Sequence, residues 1–99
     1  MKVALLYFDG CPNWEGTWLQ LETLSSEFGF ALERCEVDTP EVAERLAFHG
    51  SPTVLIDGRD PFATGVEPVG LSCRVYGTDT GLAGAPNEQQ LRDVLTGAS

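Results

Sequence analysis

The chain has 99 residues, six basic against fifteen acidic, for a formal charge of −9 at neutral pH. That length fits one domain, 1–99, around a single core, and 42% hydrophobic with 21% charged residues excludes a disordered chain. The acidic balance disfavours nucleic acid and anionic membrane as partners; with no apolar run of spanning length and no basic leader, a cytoplasmic protein is expected.

Val3 to Phe8 is apolar on both faces, the pattern of a buried parallel strand. Asp9 and Gly10 end it, and Cys11-Pro12 sits where the chain turns into a helix over about Asn13 to Phe28. Trp14, Trp18, Leu21, Leu24 and Phe28 recur at helical spacing, and Gly29 stops the run. A cysteine before a helix start meets unpaired backbone N–H groups and the positive helix end, both favourable to thiolate, with Asp9 and Glu15 opposing. Cys11 is therefore either a reactive thiol or a small buried hydrophobe. Trp14 either returns its ring across Cys11 or opens the packing stripe, and packing is preferred.

Phe30 to Val37 reads as a second, more exposed strand, with Cys35 an incidental or structural thiol. Asp38-Thr39-Pro40-Glu41 is a helix start, Thr39 capping and Pro40 first in the helix, which Gly50 stops near His49. His49, the one histidine, is read as a helix-terminal residue. Gly50-Ser51-Pro52-Thr53 leads into a strand, Val54-Leu55-Ile56, and Asp57-Gly58 predicts a turn to an antiparallel partner. Gly58 to Gly70 is a polar excursion in which Arg59, Asp60, Phe62 and Thr64 either ring a site or lie on a surface loop. Leu71 to Tyr76 is the last expected strand, Leu71, Cys73 and Val75 alternating against Ser72, Arg74 and Tyr76. After a turn-rich stretch, Pro86 begins a helix with Leu91, Val94 and Leu95 on the core, ending near Gly97.

The three cysteines, Cys11, Cys35 and Cys73, contain no CxxC pair and no cysteine–histidine cluster. They suit neither a disulfide scaffold nor a zinc site, and no cofactor or metal is expected.

The order strand-helix-strand-helix, then proline-strand-strand-helix, resembles the thioredoxin fold. Gly10-Cys11-Pro12-Asn13-Trp14 lies where thioredoxins and glutaredoxins place their redox loop, Ser51-Pro52-Thr53 resembles their cis-proline segment, and Val54 to Gly58 resembles the hairpin that follows. The chain also resembles small bacterial thioredoxin/glutaredoxin-like proteins with GCP, GSPT-strand-DG and CRxY segments, here Cys73-Arg74-Val75-Tyr76, some of which carry an alkylmercury lyase label. The resemblance implies an α/β, thioredoxin-like domain with a central mixed four-stranded sheet flanked by three helices. It further implies that Cys11 is the nucleophile and that Pro52 is cis beside it. Three departures stand out: Trp14 in the second-cysteine position, Leu5 in place of the buried proton-relay aspartate, and no glycine pair after the hairpin.

The leading expectation is a thiol-dependent redox protein, in which Cys11 attacks a disulfide or small electrophile. Cys73 serves either as a distant resolving thiol or as a buried core residue. Pro12, Trp14, Ser51, Pro52, Thr53 and Arg74 are the expected substrate contacts, Arg74 having the competing and preferred reading of a solvated strand residue. A protein thiol, a disulfide or a small thiol is the expected partner. Two alternatives remain: a non-enzymatic binding module on the same fold, and a soft-metal or organomercury-handling protein using Cys11 with Cys73.

Overall fold

The computed structural model describes residues 1–65 and 67–97. In chain order the elements are β1 (Lys2–Tyr7), α1 (Trp14–Phe28), β2 (Ala31–Glu36), α2 (Pro40–Arg45), β3 (Thr53–Ile56), β4 (Tyr76–Thr78), β5 (Gly81–Ala83) and α3 (Glu88–Leu95). The expected four-stranded central sheet is corrected to three strands, ordered β2-β1-β3, with β1 parallel to β2 and antiparallel to β3. β4 and β5 pair with each other in a separate two-stranded sheet.

β1 is central because both of its faces are apolar. Val3 and Leu5 pack with Leu21 and Leu24 of α1, Val54 of β3, and Leu91 and Leu95 of α3. Leu6 on the opposite face packs with Val37, Ala43 of α2 and Phe48. α1 and α3 thus cover one face of the sheet and α2 the other. β2 carries mostly exposed residues, Cys35 among them, as its mixed polarity predicts.

The fourth strand fails for a local and a long-range reason. After the Asp57-Gly58 turn, Ile56 and Arg59 exchange two backbone hydrogen bonds, and then the chain leaves the sheet. Pro61 and Pro68 carry no N–H with which to continue a ladder. Residues 71–76 return to touch the main sheet's leading loop at a single parallel bridge, Ser51 with Cys73. Leu71 packs half-buried against the core as expected and Ser72 is exposed, but from Cys73 on the alternation is inverted: Arg74 and Tyr76 are buried, whereas Cys73 and Val75 are exposed.

Two helix boundaries also shift. α2 begins as expected, with the Thr39 hydroxyl accepting from the Val42 N–H at 3.2 Å, but ends at Arg45 rather than near His49. There Phe48 N–H reaches back to the Ala43 carbonyl at 2.8 Å, which turns the Phe48 ring into the core and leaves Ala47 at φ 52°. α3 starts after Pro86, because Asn87 forms a capping box with Gln90: each side chain bonds the other residue's N–H, at 2.8 and 2.9 Å.

Candidate functional site

Cys11 ends the turn out of β1, its N–H bonded to the Phe8 carbonyl at 3.0 Å, and α1 begins three residues later. Its side chain is fully buried and forms a disulfide with Cys73, 62 residues away, with the two Cα atoms 5.7 Å apart. The Cys11 sulfur lies 3.7 Å from the Ser51 carbonyl oxygen and receives the Asn13 side-chain amide at 3.6 Å. Asn13 occupies the helix N-cap position yet makes no side-chain cap bond. Its backbone is already helical, so its amide is turned to the sulfur instead of to the first turn of α1. Asp9 and Glu15, the expected opponents of a thiolate, are both exposed to solvent, where water screens them.

The Ser51–Pro52 peptide bond is cis. Ser51 N–H bonds the Ser72 carbonyl at 2.8 Å, and Arg74 N–H bonds the Ser51 carbonyl at 3.0 Å. These two bonds bracket Cys73 and hold it opposite Ser51, alongside Cys11. Gly50 makes the approach feasible: it sits at φ 104°, and a Cβ there would lie 3.0 Å from the Arg74 Cβ. Only a residue tolerant of the left-handed region and lacking a side chain fits both conditions.

Arg74 is buried, its side chain 3% exposed, which corrects its reading as a solvated strand residue. The guanidinium donates to both carboxylate oxygens of Asp60, at 2.6 and 3.4 Å, and to Thr53 Oγ1 at 3.4 Å. Glu67 Oε1 lies 3.8 Å away, and Glu67 in turn accepts from the Thr64 N–H and hydroxyl. The guanidinium also rests 4.7 Å from the centre of the Tyr76 ring, against which Phe62 packs edge-on at 5.4 Å. Tyr76 donates its hydroxyl to the Pro52 carbonyl at 2.5 Å. Burial pushes its phenol well above the ordinary tyrosine range; the Arg74 charge opposes that shift, and Asp60 and Glu67 reinforce it. A buried arginine is tolerated because two carboxylates and a ring face replace its water.

The structure therefore brings together Cys11, Cys73, Ser51, Pro52, Thr53 and Arg74. Ser51, Pro52 and Thr53 are all buried in this oxidised form, and Ser51's backbone edge is taken by residues 72–74. Pro12 is exposed at the turn. Trp14 stacks on Tyr7, ring centres 4.1 Å apart, under the Arg34 guanidinium and packs against the core, the preferred of its two expected roles. His49 lies beyond α2 rather than at its end, with Nδ1 buried and without a hydrogen-bond partner. Cys35 is a free, exposed thiol on β2. The reading from sequence passed over Asn13 as a sulfur donor and the Arg74–Asp60 pair; an asparagine directly before a helix start was the one available signal for the first.

Among the described residues, no group of three or more His, Cys, Asp or Glu side chains is placed to hold a metal ion. No helix among them is long and apolar enough to cross a membrane. Compared with protein-family models, curated proteins and solved structures, the chain matches none.

Proposed function

We propose that this protein is a dithiol–disulfide redox protein that cycles the Cys11–Cys73 pair against thiols or disulfides. The observation that carries the reading is the pairing itself: a cysteine at a strand-to-helix turn faces one on a solvent-exposed segment, with an amide donor on the buried sulfur. Opening the bond leaves a thiolate on Cys11 that the Asn13 amide and the start of α1 stabilise. The missing CxxC is then no obstacle, because the second cysteine arrives through the tertiary fold. A cytoplasmic setting belongs to the proposal, since there a reducing poise makes a cycling pair useful.

Kinship with thioredoxin-like proteins is part of the same proposal. The parallel β1–α1–β2 unit, the antiparallel β3 and the cis Ser51–Pro52 bond near Cys11 support it, and the three-stranded sheet weighs against it. A second reading, in which the disulfide is a fixed staple of a binding module, is favoured by the two backbone bonds that clamp Cys73 to Ser51.

Redox titration separates the two. The protein is equilibrated in dithiothreitol or glutathione buffers of graded potential, and the Cys11–Cys73 state is trapped and weighed by mass spectrometry. A cycling pair titrates above about −300 mV, and a structural disulfide below it. A lower value would exclude the redox reading.

A further inference from the structure

The two sulfurs of the pair are not equivalent. Cys11 has no accessible surface, whereas Cys73 is exposed on a segment whose neighbours Ser72 and Val75 also face solvent. Attack on a disulfide runs along the extension of the S–S bond, so the nucleophile must reach the far side of the sulfur it attacks. At Cys11 the Ser51 carbonyl and the Asn13 amide already stand at contact distance. Cys73, by contrast, is a solvent-exposed residue, so of the two it is the one open to an external nucleophile.

We infer that Cys73 is the sulfur an external thiolate attacks and that Cys11 is the leaving group, the reverse of the order that the thioredoxin resemblance implies. The inference rests on the redox reading and assigns its direction. The incoming thiolate forms a new S–S bond to Cys73 while the Cys11–Cys73 bond breaks, and the electron pair of the broken bond departs on Cys11. A second external thiolate then attacks the external sulfur of the mixed disulfide and releases Cys73 as thiolate. Across the two steps two thiols become one disulfide, the protein disulfide takes up two electrons, and the thiols' protons pass to solvent or to the two cysteines.

Leaving-group stability helps set which bond breaks fastest, and the buried sulfur has the better-prepared site. Asn13 is held there from behind: a Cβ on Gly84, in the loop between β5 and α3, would overlap the Asn13 amide nitrogen. The loop thus packs on the amide that faces the departing sulfur. The substrates that fit this order are small thiols, or cysteines on flexible chain segments, able to reach residue 73 without entering the core.

The test needs no variant. Cys35, the free thiol, is blocked with iodoacetamide in the oxidised protein, which is then mixed with 2-mercaptoethanol. Samples are acid-quenched at successive short times, capped with N-ethylmaleimide and mapped by peptide mass spectrometry. Extrapolated to zero time, the mercaptoethanol adduct is expected on Cys73 and the maleimide on Cys11, at least tenfold over the reverse arrangement. An adduct on Cys11, or equal labelling of both, would overturn the order while leaving the redox reading standing. An absence of exchange at any thiol concentration that leaves the fold intact would overturn both.

Discussion

The two halves of the disulfide are held in place by different physics. Cys11 is positioned locally, by the end of an apolar strand, a turn bonded to Phe8 and a helix that starts three residues later. Cys73 lies outside every helix and strand and is positioned from afar, by two backbone bonds to Ser51 and by the burial of Arg74 and Tyr76 on either side of Val75. The contrast teaches that the disulfide partner of a cysteine need not be encoded near it in sequence. A buried ion pair and a cis-proline segment can deliver it across 62 residues of sequence.

Cutting the link between the halves has the largest expected effect. Cys73→Ser opens a loop of 62 residues, and the chain-entropy account of disulfides puts the loss of stability at about 4 kcal/mol. Urea denaturation of the variant against the oxidised wild type measures it, and the gap is expected to shrink when the wild type is reduced.

Arg74→Ala attacks only the Cys73 half. It leaves the largely buried Asp60 carboxylate without its cation, and about 3 kcal/mol is expected from breaking such a pair. Because the same residue anchors the backbone bonds that hold Cys73, oxidation of the Cys11–Cys73 pair in the variant should slow, as read by the rate of thiol loss in air. An Asp60→Asn substitution, which keeps a hydrogen-bond acceptor, is expected to cost less than Arg74→Ala.

Tyr76→Phe is the smallest and sharpest probe. It removes one hydrogen bond to the Pro52 carbonyl, at about 1 kcal/mol, without touching either cysteine. It also changes the alkaline limit of stability. The folded state holds the phenol proton more tightly than the unfolded chain, whose tyrosine titrates near 10. This contribution is therefore fully present below pH 10 and declines above it, as the unfolded chain ionises and the folded protein does not. Wild-type stability should fall more steeply than that of the variant between pH 10 and 11, measured by chemical denaturation at each pH.

Much of the scaffold is legible in the sequence. The two-sided apolar run Val3 to Phe8 predicts a buried parallel strand, and the pairing with β2 and the core contacts on both faces agree with that pattern. Thr39-Pro40 marked the start of α2, and Gly29 the end of α1. These signals are local: strand and helix periodicity, capping and glycine act over a few residues, so a linear reading captures them.

What only the tertiary structure decided lies at residues 46–49 and 58–76. The alternation at Leu71 to Tyr76 was visible, but which face would be buried was not. Hydrophobicity alone chooses Leu71, Cys73 and Val75, whereas the fold buries Arg74 and Tyr76, because Asp60, Glu67, Thr53 and the Pro52 carbonyl supply the partners that make those polar groups tolerable inside. That choice leaves Cys73 on the exposed side of its segment, held against Ser51 by the flanking backbone bonds and joined to the buried Cys11. Desolvating a charge is favourable only when its counter-charges are in position. Those counter-charges come from a loop whose path no local pattern specifies, and so the sequence by itself determined where Cys11 stands, while the assembled fold decided what it faces.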